Sequence, residues 1–188
     1  ANFYGLRAYG VHVNVFRRTD QGETQVFVAR RSSVKQTFPG MLDQCVAGGQ
    51  PFNMGLFENV VKECMEEASI PEEIAKNASP VSVSSYCYDV ANIGLKPEVL
   101  FNYDLEVPQD FQPKPLDGEV EAIYAWDPMT LLRSLDKEPE GWKTNSALVN
   151  IDFLIRHGFL SGDECPVYSQ LTRNDLYASG IQHFLNRV

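Results

Sequence analysis

Apolar and polar residues alternate at the start of the chain. Tyr9 to Phe16 (YGVHVNVF) is β-branched and of period two, and Gln25 to Ala29 (QVFVA) follows after the turn-like TDQGE, so the pair predicts a hairpin. Phe38-Pro39-Gly40 punctuates a loop before a short run, Leu42 to Ala47, that ends at Gly48-Gly49. From Phe57 the period becomes helical: Phe57, Val60, Val61, Cys64 and Ala68 form one apolar stripe, and Pro71 stops the helix. Strand-like runs follow at Val81 to Val90, Glu98 to Val107 and Glu119 to Trp126, the last two separated by the Pro-rich PQDFQPKPLDG. Helices are predicted over Pro128 to Leu135 and Ser146 to His157, with a further one near Ile181 to Asn186. Strands with interspersed helices imply an α/β fold, a mixed sheet covered by helices.

A length of 188 residues, without repeats or a dividing linker, predicts a single domain over residues 1–188 with a weakly patterned tail. No apolar run reaches the roughly 20 residues of a membrane span, so a soluble protein is expected. A net charge of -9 argues against a nucleic-acid partner, which clustered Lys and Arg would bind. An acidic protein that handles phosphates needs another positive charge, and a divalent metal would supply it. Cys45, Cys64, Cys87 and Cys165 are scattered without a C-x-x-C pair, which points to buried thiols in a reducing compartment. No signal or transit pattern opens the chain, and it starts at Ala1 rather than Met. A cytoplasmic location is expected, or a plastid one if a transit segment has been removed. An exposed edge strand would allow a homodimer.

Candidate chemistry concentrates in Gly48 to Ile70, GGQPFNMGLFENVVKECMEEASI. At ~100° per residue Glu63 and Glu67 lie about 40° apart on the helix, at the edge of the apolar stripe, with Glu66 about 100° from Glu67. Clustered carboxylates repel one another unless a cation sits between them. Oxygen ligands of this kind suit Mg²⁺, which also binds substrate phosphates. The Gly48-Gly49 turn lets backbone approach that site. Taken alone, the carboxylates are more often a solvated acidic face than a metal site; the rest of the pattern favours the metal.

That pattern resembles the Nudix box of hydrolases that cleave diphosphates linked to another moiety. The box ends in R-E-U-x-E-E-x-G-U, with U a bulky aliphatic residue, and here reads Lys62-Glu63-Cys64-Met65-Glu66-Glu67-Ala68-Ser69-Ile70. Lys62 replaces the usual Arg and Ser69 the usual Gly. The preceding spacing is one residue shorter, and Met54 or Leu56 stands where an early Glu is expected. Glu58 cannot replace that Glu, because it projects about 180° from Glu67. RAYGVHVN, ARRSSVKQTFPGMLDQCVAGG, LFNYDLEVPQDFQPKPLDGEVE and ALVNIDFLIRHG extend the resemblance over about residues 3–168. Together they resemble plant chloroplast-type Nudix hydrolases and Nudix domains associated with thiamine pyrophosphokinase.

The resemblance implies a Nudix α/β/α sandwich and a Mg²⁺ or Mn²⁺ cofactor held by Glu63, Glu66, Glu67 and the backbone near Gly48. It implies hydrolysis of a small organic diphosphate to the monophosphate and phosphate, with thiamine diphosphate and its damaged oxo or oxy forms as substrates. Rival readings are a general hydrolase of nucleoside diphosphate derivatives, such as ADP-ribose or dinucleotides, and a binding module of the same fold without turnover. Glu119, in DGEVE after the Pro-rich loop, is the candidate for a further metal ligand or catalytic carboxylate. Arg31 and Lys35, beside Arg30, are candidates for holding phosphate. His12 and Asn14, on one face of the first strand, read as hydrogen-bonded sheet residues, and His157 as a helix-end packing residue. Tyr124 and Trp126 read as structural, while Phe52 and Phe111 are loop aromatics placed to stack on a base.

Overall fold

The computed structural model describes residues 6–90, 94–163, 165–166 and 168–171. Strand β1 (Ala8–Arg18) occupies the middle of a mixed sheet. It pairs in parallel with β6 (Gly94–Glu106), and antiparallel with both β2 (Thr24–Arg31) and β4 (Val46–Gly49). Beyond β6 lies β5 (Ser79–Val90); β2 carries β3 (Leu42–Gln44) and β7 (Val120–Trp126). The predicted run Leu42 to Ala47 is two strands, because the chain leaves β2 at Gln44 and joins β1 at Val46. The other predicted elements form, with ends shifted by a few residues. The helix foreseen near Ile181 lies outside the described residues.

The alternation of β1 explains the two layers that cover the sheet. Val11, Val13 and Val15 are fully buried on one face, where Val60, Cys64 and Ala68 of α1 (Leu56–Ala68) pack against them. Phe57, expected in that stripe, is 42% exposed and leans on Tyr103, and the helix instead buries Asn59 and Glu67. Ser69 ends α1 at φ 52°, the left-handed cap that glycine usually provides, and the Ile70 N–H closes on the Cys64 carbonyl at 3.0 Å. Pro71 then caps a short helix, α2 (Glu72–Ala75).

The opposite face of β1 presents His12, Asn14 and Phe16 to α3 (Pro128–Lys137) and α4 (Thr144–Arg156). Part of this layer is apolar, with Phe16, Val26, Val28, Leu131, Trp142, Phe153 and Leu154 buried together. The rest is a buried polar seam. Asn14 donates to Asp104 at 2.9 Å, and Gln44 meets Asn14 and, at 3.2 Å, Asn150. His157 stacks on Phe153 and pairs with Asp104 at 2.8 Å, the packing role expected of it. Three of the four cysteines are buried and all four are free thiols. Among the described residues no helix is long and apolar enough to cross a membrane.

His12 sits 3% exposed in this seam, with its Nδ1 lacking a hydrogen-bond partner. Burial, aided by the nearby Lys143 charge and opposed by Asp43, pushes the imidazole down to about 3. Its folded-state value is therefore depressed, so the unfolded chain takes up the proton first as pH falls below about 6.5. We predict that stability falls between pH 6.5 and 4 by up to about 1.4 kcal/mol per pH unit from this residue alone. Comparing melting temperature against pH for wild type and His12→Phe checks it: the variant should have the shallower acid slope.

Candidate active site

Strand β4 and helix α1 make the closest approach in the site. A Cβ built on Gly48 would lie 2.2 Å from Cδ of Glu63, so only glycine allows that carboxylate to lie on the strand backbone. Asn59, fully buried, donates from Nδ2 to the Gly49 carbonyl at 3.0 Å and to Gln50 at 3.2 Å, which fixes the turn to the helix. Glu67, one turn beyond Glu63, accepts the Ala47 N–H at 2.7 Å. Burial foremost, then the neighbouring Asp43 and Glu63 charges, raise the Glu67 carboxyl to about 8 despite that hydrogen bond.

The Pro-rich loop delivers the distant carboxylates. Lys114 N–H donates to the Ala68 carbonyl at 3.0 Å, and Ser69 Oγ donates to the Lys114 carbonyl at 2.9 Å, so the loop is tied to the end of α1. Ser69 thus adds a hydroxyl contact that glycine could not make. Asp117 accepts the Glu119 N–H at 2.8 Å across Gly118, at φ 79°, and Glu119 in turn accepts the Ser32 N–H on its carbonyl. Carboxylate oxygens of Glu67, Asp117 and Glu119 consequently lie within 4.8 Å of one another.

Gly48, Glu63, Glu66, Glu67, Glu119, Arg31 and Lys35, the residues singled out from the sequence, all line one cavity of about 710 Å³. Lys62 bridges Glu63 at 3.1 Å and Glu66 at 2.7 Å. This accounts for a lysine where an arginine is usual: with the early Glu absent, the cation turns to the helix's own glutamates. Glu58 instead caps the Gly55 N–H at 3.3 Å, away from the cavity. Lys35 pairs with Glu119. A β-bulge between Arg30 and Arg31 separates the two arginines. Arg30 lies over the Tyr124 ring and bonds the Gly40 carbonyl outside the cavity, whereas Arg31 reaches Asp43 at 2.7 Å and the carbonyls of Thr37 and Phe38.

Other residues weighed from the sequence lie outside the cavity. Asn14 is the hydrogen-bonded sheet residue expected, His12 is buried in the sheet with Nδ1 unpartnered, Phe52 is 93% exposed, and Phe111 packs against the α1 core. Conversely, sequence reasoning did not single out Asp117, Asp43 or Lys143, nor the wall made by Tyr86, Lys96, Glu98 and Leu148. Asp117 stands next to the flagged Glu119 and was within reach of the motif; the others carry no local signal. Asp43 is buried, and although burial alone would raise its carboxyl, the Lys143 ammonium and Ser146 hydroxyl hold it down at about 2.

An α/β/α sandwich with carboxylates converging on Gly48-Gly49, which end strand β4 rather than forming the expected turn, and basic residues on the rim defines a fold and site suited to a cation-bound phosphate compound. Solved structures share the fold. The MutT protein of Methanosarcina mazei superposes with a TM-score of 0.57 over 80% of this chain and 95% of its own, at 18% identity. The Nudix domain of NrtR from Shewanella oneidensis, solved with ADP-ribose, gives 0.55 over 68% of this chain and 77% of its own, at 15% identity. In sequence the chain is 43% identical over 178 residues to Nudix hydrolase 20, chloroplastic, of Arabidopsis thaliana, covering 93% of this chain and 47% of that protein. Nudix hydrolase 24, chloroplastic, of the same plant is 41% identical over 92% of this chain and 46% of its own. An uncharacterized Saccharomyces cerevisiae protein is 36% identical over 91% of this chain and 53% of its own. The chain therefore spans about half the length of the curated relatives it matches. No protein-family model matches it. Sequence and fold together place the chain among the Nudix proteins.

The residues fit a divalent cation. The Gly48 cradle admits Glu63, and Glu67 is a buried carboxylate whose charge needs a positive partner. We predict that Mg²⁺ at about a hundred times its dissociation constant raises the melting temperature by about 5–10 °C. Thermal unfolding of Glu63→Gln and Glu67→Gln should show that gain lost, and Glu58→Gln should keep it. A full Mg²⁺ response in both cavity variants would mean the cation sits elsewhere.

Proposed function

We propose that the chain hydrolyses a diphosphate bond in a small organic diphosphate, using Mg²⁺ or Mn²⁺. The observation that carries this is one cavity in which Gly48 at the end of β4, Glu63, Glu66 and Glu67 meet Glu119 from the far end of the Pro-rich loop. Gly48 and the three helix glutamates would hold the cation, with Glu119 assisting. A bound cation supplies charge neutralisation and polarisation of a phosphoryl oxygen.

The chain's own groups do the rest. Lys62 keeps the Glu63 and Glu66 carboxylates turned toward one another. Lys35 and Arg31 meet phosphate oxygens, Lys35 by exchanging part of its contact with Glu119. A water attacking phosphorus in line forms a new P–O bond as the bridging P–O bond breaks, releases the monophosphate and phosphate, and gives its proton to a cavity carboxylate. Glu119, half exposed and near Asp117, or one of the helix glutamates accepts it. Leu148 and Tyr86, with Glu98 and Lys96 beside them, form the wall against which the organic moiety rests.

Within this class the proposed substrate is thiamine diphosphate, above all its oxo and oxy analogues, cleaved to the monophosphate and inorganic phosphate. Support comes from the resemblance to the plant chloroplast-type hydrolases; on the organic wall Tyr86 and Lys96 both engage Glu98, and an added oxygen would have to join that polar group. A wall that hydrogen-bonds an added oxygen discriminates against the analogue lacking it. A second reading, a nucleoside diphosphate derivative, is favoured by the ADP-ribose in the Shewanella Nudix domain of like fold. The names of the two Arabidopsis relatives favour the plastid alternative over the cytoplasm.

Glu119→Gln should lower kcat by about tenfold to a hundredfold while leaving KM within a few-fold, because its contact is worth most at the transition state. Steady-state kinetics with Mg²⁺ on thiamine diphosphate, oxythiamine diphosphate, ADP-ribose and a reduced dinucleotide tests both levels. Highest kcat/KM for oxythiamine diphosphate is expected. Preference for ADP-ribose or the dinucleotide removes the thiamine assignment, and tight binding of all four without turnover removes the hydrolase itself.

A further inference from the structure

Charge is unevenly divided among the groups that line the cavity. Glu63, Glu66, Glu67, Asp117 and Glu119 pair with Lys62 and Lys35, an excess of carboxylate that suits a cation. A neighbouring cluster, whose Asp43 and Lys143 charges reach Glu67, has the opposite balance. Asp43, on β3 and 4% exposed, accepts Arg31 Nη1 at 2.7 Å and Lys143 Nζ at 3.0 and 3.3 Å, so two cations share one carboxylate. Ser146 Oγ and the Gln44 N–H, at 2.8 Å, complete its shell.

The two cations differ in what they have left to offer. Arg31 spends Nε on the Thr37 and Phe38 carbonyls, at 3.3 and 3.0 Å, and Nη2 on Thr37 at 2.9 Å. It braces the 37–38 loop as much as it faces the cavity. Lys143 has Asp43 as its ion-pair partner, and its ammonium carries three donors. Its side chain is 14% exposed, within a residue that lines the cavity, and the Lys143 N–H on the Leu42 carbonyl at 2.9 Å ties the backbone to β3. A lysine so fixed is a preset point charge rather than a mobile surface group.

We propose that Lys143, positioned by Asp43, is a substrate-binding residue that receives the terminal, unesterified phosphate of the diphosphate. This rests on the hydrolase reading above and gives the substrate a direction: the terminal phosphate to the Lys143 cluster, the cation to the carboxylates, and the organic group to the Tyr86 wall. The terminal phosphate carries the most negative charge in such a compound, and this cluster has an excess of positive charge to meet it.

The test uses the Mg²⁺-loaded protein and methylenediphosphonate, a diphosphate mimic without a cleavable bridge or an organic group. Calorimetric titration should show Lys143→Gln binding it about tenfold more weakly than wild type, the worth of one charge-assisted hydrogen bond. Lys143→Arg should keep most of the affinity, and Lys76→Gln, exposed just after α2, all of it. With a hydrolysed substrate, Lys143→Gln should raise KM more than it lowers kcat. Wild-type affinity in a folded Lys143→Gln overturns the proposal, as does a wild-type protein that does not bind the diphosphonate. Should Lys143→Gln fail to fold, unchanged affinity and KM on replacing Lys143 by Met overturn it equally. Lys143-dependent binding in a protein that turns over no diphosphate would keep this phosphate site and discard the hydrolase reading.

Discussion

The missing Cβ of Gly48 is the constraint from which the site follows. It lets a carboxylate of α1 lie against the backbone of β4, where any added side chain at position 48 would force the Glu63 carboxylate to move away. Asn59 fastens the same helix to Gly49, and Glu67 fastens it to Ala47. Two hydrogen bonds and one close approach thus join one helix to one short strand, on an interface otherwise sealed by Val60, Cys64 and Ala68. Packing supplies the adhesion, and the polar contacts supply the register in which the glutamates face the cavity.

Departures from the usual box become intelligible on this frame. With the early Glu gone, Lys62 balances the glutamates of its own helix. Ser69 adopts the left-handed cap and uses its hydroxyl to anchor the loop that carries Asp117 and Glu119. The opposite layer of the sheet behaves differently. There the buried polar seam under α4 runs from His157 and Asp104 to Asn150, Gln44 and Asp43, and it ends at the cations of the cavity. One layer orients carboxylates and the other orients lysine and arginine.

Much of this was legible in the sequence because it is local. The period-two run of β1 and the period-four stripe of α1 are short-range patterns, and Glu63, Glu66 and Glu67 ride on the second. Glu119 was visible through the DGEVE segment. Phe57 misled, since an apolar residue at the first turn has the right spacing yet stays 42% exposed against the Tyr103 ring. Asp43 and Lys143 were not visible. They lie a hundred residues apart; Asp43 falls within a segment of the resemblance that does not mark its carboxylate, and Lys143 within none. Only the pairing of β3 with β2 and the start of α4 over β3 bring them together. The Tyr86–Glu98 wall likewise depends on cross-strand register. Charges that act through tertiary contacts leave no periodic trace.

The central claim is that a divalent cation binds where Gly48 admits Glu63, and electron paramagnetic resonance of Mn²⁺ tests it directly. Titrating wild type and Gly48→Ala, each checked for a cooperative thermal transition, measures bound Mn²⁺ without reference to any substrate. The added methyl group collides with the Glu63 carboxylate. The account predicts that wild type binds Mn²⁺ and that a folded Gly48→Ala loses at least about tenfold in affinity, the scale of one displaced ligand or its support. Equal Mn²⁺ affinity in the two proteins would contradict it.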